Sequence, residues 1–147
     1  MVRILNYVSL LAAAVSATSV SWDPVYDNAG QSLATVACSD GANGLLTKFP
    51  DVKTLGDLKG KLKPNVYPAG VSEITGWNNP SCGKCFRLKY KSRVGGDKQI
   101  FLVAVDTAPL GANVPPTGFN NISPTGNTAP GRLEVVVYPA GPSDCFK

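Results

Sequence analysis

Ile100-Phe101-Leu102-Val103-Ala104-Val105-Asp106 is the stretch of sequence that decides the fold of this chain. Its first six residues are all apolar, and a short unbroken apolar run is typical of a strand that is covered on both faces. Leu133-Glu134-Val135-Val136-Val137-Tyr138 has a similar, nearly continuous character. The sequence therefore predicts that these two strands form the centre of the core.

Weaker patterns surround these two strands. Phe86 to Val94 begins with apolar residues that alternate with Arg87, Lys89 and Lys91, which predicts a half-buried strand with one solvated basic face. Further elements predicted are a first strand at Leu33–Cys38, short helices at 43–49 and 54–59, a turn at 95–97, and a long, partly structured excursion at 106–131.

The first 17 residues have the organisation of a secretory signal peptide. Arg3 precedes an apolar stretch from Ile4 to Val15, and Val15-Ser16-Ala17 is a small-residue cleavage pattern. We expect cleavage after Ala17, a single domain over 18–147, and export from the cell. No later stretch is apolar and long enough to predict a membrane span.

Charge and composition exclude several classes of function. The chain has 14 Lys and Arg against 10 Asp and Glu, a mildly basic balance without the clustered excess or reading motif of a nucleic-acid binder. It has no histidine, so the Ser-His-Asp, Cys-His and commonest metal-site chemistries are absent. No cofactor or metal is predicted, and hydrolysis would need two carboxylates.

Four cysteines follow the predicted cleavage site: Cys38, Cys82, Cys85 and Cys145. An even number in an oxidising compartment predicts two disulfides. A redox Cys82–Cys85 bridge is disfavoured because Gly83-Lys84 lies outside any βαβ context. The two remaining pairings both join Cys82 and Cys85 to distant parts of the chain, and the spacing leaves both open.

Asp106 is the acidic residue most suited to a binding role, because it directly follows the apolar run. A rigid strand would aim it at the following loop, although a turn or capping role is the plainer interpretation of an aspartate there. Sugar sites combine aromatic rings with amides and carboxylates, and Trp77, Asn113 and Asn120 supply these groups. Asn121-Ile122-Ser123 is an N-glycosylation sequon.

Several blocks of the sequence together resemble the cerato-platanin family of small secreted fungal proteins. They cover essentially the whole of 18–147, in order. The blocks are Ser19-Val20-Ser21-Trp22-Asp23-Pro24-Val25-Tyr26, Val36-Ala37-Cys38-Ser39-Asp40-Gly41 with Asn43-Gly44-Leu45, Gly76-Trp77-Asn78-Asn79-Pro80-Ser81-Cys82-Gly83-Lys84-Cys85, and Val105-Asp106-Thr107.

The resemblance implies a mainly β fold: a six-stranded double-ψ β-barrel, similar to the first domain of plant expansins, with a few short helices. It also implies that Cys38 pairs with Cys82 and Cys85 with Cys145. The implied partners are chitin, N-acetylglucosamine oligomers or cellulose, which is loosened without hydrolysis, and a plant receptor through which the protein acts as an elicitor. The alternatives are a surface-active, self-assembling wall protein and a weak endoglucanase.

The resemblance places Asp106 at the position of the family's acidic groove residue. Together with the residue types noted above, it predicts a carbohydrate-binding site of five residues: Asp106, Asn113, Asn43, Gly44 and Trp77. Relatives have an aromatic residue in the turn before the loop asparagine, where this chain has Pro109-Leu110-Gly111-Ala112-Asn113-Val114-Pro115-Pro116. The segment Asp51–Lys63 carries four lysines, and we expect a solvated excursion there.

Overall fold

A computed structural model describes residues 17–93 and 95–147 as a closed β-barrel. Around the barrel the order is β1-β5-β2-β4-β3-β6, with β6 closing on β1. The β1–β5 and β2–β4 pairs are parallel and the other pairs are antiparallel. The strands are β1 Ala17–Trp22, β2 Val66–Val71, β3 Cys85–Tyr90, β4 Lys98–Thr107, β5 Gly111–Val114 and β6 Arg132–Pro139.

Short helices and turns cover the outside of the barrel. The α-helices are α1 Leu45–Lys48, α2 Leu55–Gly60, α3 Pro116–Ile122 and α4 Pro142–Cys145, and 3₁₀ turns lie at Pro24–Asp27 and Leu33–Thr35. This architecture confirms the predicted six-stranded barrel with a few short helices. None of the helices in the described part of the chain has the length and apolar character that crossing a membrane requires.

Strand β4 forms the centre of the core, as the apolar run predicts. Residues 102–105 are fully buried, and β4 pairs with β2 on one side and β3 on the other. The matching expectation for β6 is wrong. Leu133 and Val135 are buried but Glu134 between them is exposed, so this half of β6 has one buried face and one solvated face.

Two further predictions are corrected by the structure. Leu33–Cys38 is not a strand: Ser32 accepts from the Ala34 N–H and starts a 3₁₀ turn that buries Leu33 and leaves Thr35 exposed. Asp51–Lys63 is not a solvated excursion either. Its four apolar side chains, at spacings near the helical period, are buried against the barrel while its lysines lie largely at the surface: Val52, Leu55, Leu58 and Leu62.

The helix predictions are confirmed with shifted ends. α1 is shorter than the predicted 43–49 segment, and α2 begins after Thr54, whose hydroxyl accepts from the Asp57 N–H while the Asp57 carboxylate accepts from the Thr54 N–H. Gly95 and Gly96 both have positive φ angles, as expected of the predicted turn. The 106–131 excursion is more structured than expected, since it contains β5 and α3.

Two disulfides close the chain on itself: Cys38–Cys82 and Cys85–Cys145. This is the pairing that the family resemblance implies, and the described part of the chain contains no free cysteine. Strand β1 begins at Ala17, the last residue of the predicted signal peptide. The signal itself lies outside the described residues, so its cleavage stays a prediction.

Candidate functional site

Two of the predicted site residues lie in one row across the barrel wall. Gly70 of β2 pairs with Asp106 of β4 on one side and with Asn113 of β5 on the other, and Asn113 pairs in turn with Ser21 of β1. Directly paired residues have side chains on the same face of a sheet. Asp106 and Asn113 therefore face the same way, two strand spacings or about 10 Å apart.

A β-bulge brings Asp106 into this row. Ala69 pairs with Ala104, but the next residue, Gly70, pairs with Asp106, so Val105 is the extra residue of β4. The Val105 carbonyl accepts instead from the Cys38 N–H at 3.0 Å. Without the bulge Gly70 would pair with Val105, and the carboxylate would lie on the opposite face.

Gly70 keeps the floor of the row open. A Cβ atom at this position would lie 2.7 Å from the Thr107 carbonyl oxygen and 3.1 Å from the Tyr26 hydroxyl. No side chain fits there without displacing the backbone of β4. The row thus has the Asp106 carboxylate on one side of the bare Gly70 backbone and the Asn113 amide on the other. The Ser21 hydroxyl donates to the Asn113 side-chain oxygen at 3.3 Å.

The Asp106 carboxylate makes hydrogen bonds within the fold and can also accept a hydrogen bond from a ligand. Its Oδ1 accepts from the backbone N–H groups of Ala37 at 3.1 Å and Thr107 at 2.9 Å, and its Oδ2 accepts from the Tyr26 hydroxyl at 3.4 Å. A carboxylate offers about four lone-pair positions, so Oδ2 can accept a further hydrogen bond from a ligand. Burial, then the charges of Asp106 and Asp23, raise the pKa of Tyr26, which stays a neutral donor.

The other three predicted residues form a separate group, which we call the loop cluster: Asn43, Gly44 and Trp77, with Asp40, Gly41 and Asn78. Asn78 holds it together, because its Oδ1 accepts from the Asn43 N–H and its carbonyl accepts from the Asn43 side chain, both at 2.9 Å. Gly44 is buried, and a Cβ there would lie 2.1 Å from the Asp40 carbonyl oxygen. Gly44 therefore contributes to the loop cluster by allowing this tight turn, and it has no side chain to contact a ligand.

Trp77 is the exposed aromatic group of the loop cluster. Its side chain is 63% exposed, and its indole N–H donates to Asp40 Oδ1 at 2.6 Å. This hydrogen bond, helped by bonds from the Asp40 backbone and Ser39, lowers the pKa of Asp40. The indole is therefore held at its N–H edge while most of its surface stays exposed, a geometry suited to packing against a sugar ring.

The segment Ala37–Cys38 connects the row with the loop cluster. Ala37 donates to Asp106, Cys38 donates to Val105, and the Cys38–Cys82 disulfide joins the 38–44 loop to the 76–82 loop. Sequence reasoning missed Gly70, Tyr26 and the tethering role of Asn78. The left-handed backbone of Asn78, with φ at 58°, is typical of asparagine but is not visible in an unaligned sequence.

The turn that lacks an aromatic residue forms an open hollow beside Asn113. The hollow has a volume of about 170 Å³ and extends from Thr107 to Asn113, with Ser21 and Arg132 completing its wall. Leu110 is 67% exposed at its rim. Over the described ranges no three His, Cys, Asp or Glu side chains come together as metal ligands would.

The fold and site place this chain in a class of small, disulfide-linked β-barrel proteins. It has a closed barrel of six strands, two disulfides and an open polar row on the barrel wall. The comparisons with known proteins give the family. The cerato-platanin family model matches residues 18–147. The chain belongs to the cerato-platanin family.

Individual relatives agree with this assignment. The chain is 39% identical over 128 residues to cerato-platanin of Ceratocystis fimbriata f. sp. platani, covering 87% of this chain and 85% of that protein. It is 39% identical over 127 residues to allergen Asp f 15 of Aspergillus fumigatus, with coverages of 86% and 76%.

Solved structures show the same fold. Cerato-platanin 1 of M. perniciosa matches with a TM-score of 0.74 at 35% identity, over 86% of this chain and 98% of that one. The solution structure of the fungal elicitor cerato-platanin matches with a TM-score of 0.68 at 38% identity, over 86% and 94%.

Proposed function

We propose that this chain is a secreted fungal protein that binds chitin or N-acetylglucosamine oligomers, or loosens cellulose without hydrolysis, and acts as an elicitor in plant interactions. The observation that carries the proposal is the row of Asp106, Gly70 and Asn113 on the barrel wall. The elicitor role is supported by the 38% identical relative that is described as a fungal elicitor. Export rests on the signal peptide predicted over 1–17, which would leave 18–147 as the mature domain.

The row and the loop cluster supply complementary contacts for a sugar chain. Asp106 Oδ2 accepts from a sugar hydroxyl, and the Asn113 amide donates to another hydroxyl or to an acetamide carbonyl. Trp77 offers an exposed ring face, with Asn43 and Gly44 shaping the turn beside it. Bonds to a charged acceptor are worth about 1.5 to 3 kcal/mol each, so Asp106 would contribute most.

The test compares two substitutions that each remove one negative charge. Asp106→Asn retains an oxygen to accept from Ala37 and Thr107 but loses the charged acceptor, whereas Asp51→Asn removes an exposed carboxylate that pairs with Lys61 at 2.8 Å. Calorimetric titration with chitin oligomers should show about tenfold weaker binding for Asp106→Asn and no change for Asp51→Asn. A folded Asp106→Asn protein that binds normally would exclude Asp106 from the site.

The same proteins test the endoglucanase alternative. A glycosidase needs a second carboxyl group about 5 to 9.5 Å from the first. The groups that bond the Asp106 carboxylate are two backbone amides and a tyrosine hydroxyl. We expect the unmutated protein to release no reducing ends from amorphous cellulose. Sustained release that is lost in Asp106→Asn would replace the binding proposal with an enzymatic one.

A further inference from the structure

A second groove lies on the barrel wall where strands β3 and β6 separate. The pairing of these strands ends at Lys89 and Val136. Beyond that point β6 continues to pair with β1, from Val135 to Arg132, while the chain after Tyr90 leaves the sheet. The gap is a groove of about 470 Å³, a volume in the range of ligand sites.

Positive charge dominates the walls of this groove. Lys89, Lys91, Arg93 and Arg132 line it against a single acidic residue, Glu134. In the described part of the chain, the ion pairs within 4.0 Å are Lys89–Asp97 at 3.3 Å and Lys61–Asp51 at 2.8 Å. Lys91, Arg93 and Arg132 are exposed, and none of them has a carboxylate of the described residues within ion-pair distance.

The floor of the groove is suited to a sugar ring. Tyr90 is half-buried in it beside the buried side chains of Leu133 and Val135. An aromatic ring packs against the apolar face of a pyranose, while the surrounding cations reach the charged groups at its edge. Arg132 donates to Ser19 Oγ at 2.8 Å, and its guanidinium retains other N–H groups that can bind a carboxylate in a forked geometry.

We propose that this groove, formed by Lys89–Arg93 and Arg132–Val136, binds an acidic polysaccharide whose uronate carboxylates pair with its cations. Charge complementarity selects a polyanion, and the half-buried tyrosine favours a sugar acid over a phosphate chain. The excess of positive charge is also modest, and proteins that bind nucleic acid need a larger, extended one. Arg132 also borders the hollow beside Asn113, but Lys89, Lys91 and Arg93 line only this groove. The proposed binding of an acidic chain therefore does not depend on the proposed binding of neutral chitin.

The matched variants each remove two positive charges. Lys91→Gln with Arg93→Gln acts on the groove. The control, Lys53→Gln with Lys59→Gln, removes charges at α2. This helix packs against β2, and β2 is adjacent to neither of the strands that form the groove, β3 and β6. Affinity for de-esterified oligogalacturonate is measured by calorimetry at low salt, with the fully methyl-esterified oligomer as the neutral probe.

We expect the groove variant to bind oligogalacturonate about tenfold more weakly and the α2 variant to lose less than about twofold. The native protein should not bind the esterified oligomer, and its affinity should fall steeply between about 20 and about 200 mM salt as the charges are screened. Neutral chitin oligomers should bind all three proteins equally, which separates this site from the row.

Three results would overturn the proposal. Equal losses in the two variants would mean that net charge alone attracts the polymer. Equal affinity of the native protein for single-stranded DNA of the same length would assign the groove to polyanions in general. Absence of oligogalacturonate binding by the native protein at low salt would remove the site altogether.

Discussion

The row on the barrel wall and the loop cluster are built in different ways. Asp106, Gly70 and Asn113 come from three adjacent strands, and the hydrogen-bond register of the barrel sets their spacing. Asn43 and Trp77 lie on two loops that are joined by a disulfide and by the hydrogen bonds of Asn78. The row can be lost only if the barrel is deformed, whereas the loop cluster can be lost while the barrel stays intact.

The largest expected effect comes from removing a disulfide, and the choice of disulfide distinguishes the two regions because only Cys38–Cys82 joins the loops of the loop cluster. The Cys38–Cys82 bridge spans 44 residues and Cys85–Cys145 spans 60, so the loop-entropy model gives each about 4 kcal/mol of stability. Urea unfolding should show similar losses when either pair is changed to alanine. Trp77 fluorescence of the folded protein should change only in the Cys38→Ala, Cys82→Ala variant.

Gly70→Ala should be the most damaging single substitution in the row. Its Cβ would lie 2.7 Å from the Thr107 carbonyl oxygen, and β4 must shift to accommodate it. We expect a loss of about 3 kcal/mol in the free energy of unfolding, with weaker binding of chitin oligomers. Gly60→Ala is the control, because no atom lies within 4 Å of its Cβ position. A neutral Gly70→Ala would show that the row is not rigid.

Asn78 tests the loop cluster in the same manner. Asn78→Ala removes both bonds to Asn43 and puts an alanine at φ 58°, whereas Asn78→Gly removes the bonds and relieves the backbone. We expect losses of about 2 kcal/mol for alanine and about 1 kcal/mol for glycine in thermal unfolding. Equal losses would mean that the left-handed backbone costs nothing here.

The smallest effect is the pH dependence of the Trp77–Asp40 hydrogen bond. The pKa of Asp40 is lower in the folded protein than its ordinary value of 3.8, so the stability that this bond contributes is complete above 3.8, and the bond is lost as pH falls through the lowered pKa. In a Trp22→Phe background, Trp77 fluorescence should change with a midpoint below 3.8. The change should be absent in Asp40→Asn, and a midpoint above the ordinary value would contradict the geometry.

Local periodicity explains which elements could be predicted. β4 contains an unbroken run of six apolar residues and the start of β3 alternates clearly, so both were predictable from the sequence. β2 was not, because Pro68 and Gly70 interrupt it, and β5 is only four residues long. The sequence of Asp51–Lys63 combines lysines typical of a solvated loop with leucines at a near-helical spacing, and the structure buries the leucines.

The candidate site could be predicted only as a set of residue types. Residue type and position already pointed to Asp106 and Asn113, and the family resemblance supported both. Gly70 lies between them in space but is 36 positions from one and 43 from the other in the chain. Likewise Lys89 and Lys91 belonged to the basic face predicted from the sequence, and where β3 leaves β6 they form one wall of a groove together with Arg93.

The sequence by itself determined a mainly β chain with a central apolar strand, two disulfides and membership of one family, because these depend on local periodicity and on short motifs. Only the tertiary structure decided that a bulge at Val105 moves Asp106 onto the face of Asn113, and that β3 leaves β6 after Lys89. Both features depend on how strands far apart in the chain are paired. That pairing is set by packing around the whole barrel, so no local stretch of sequence contains it.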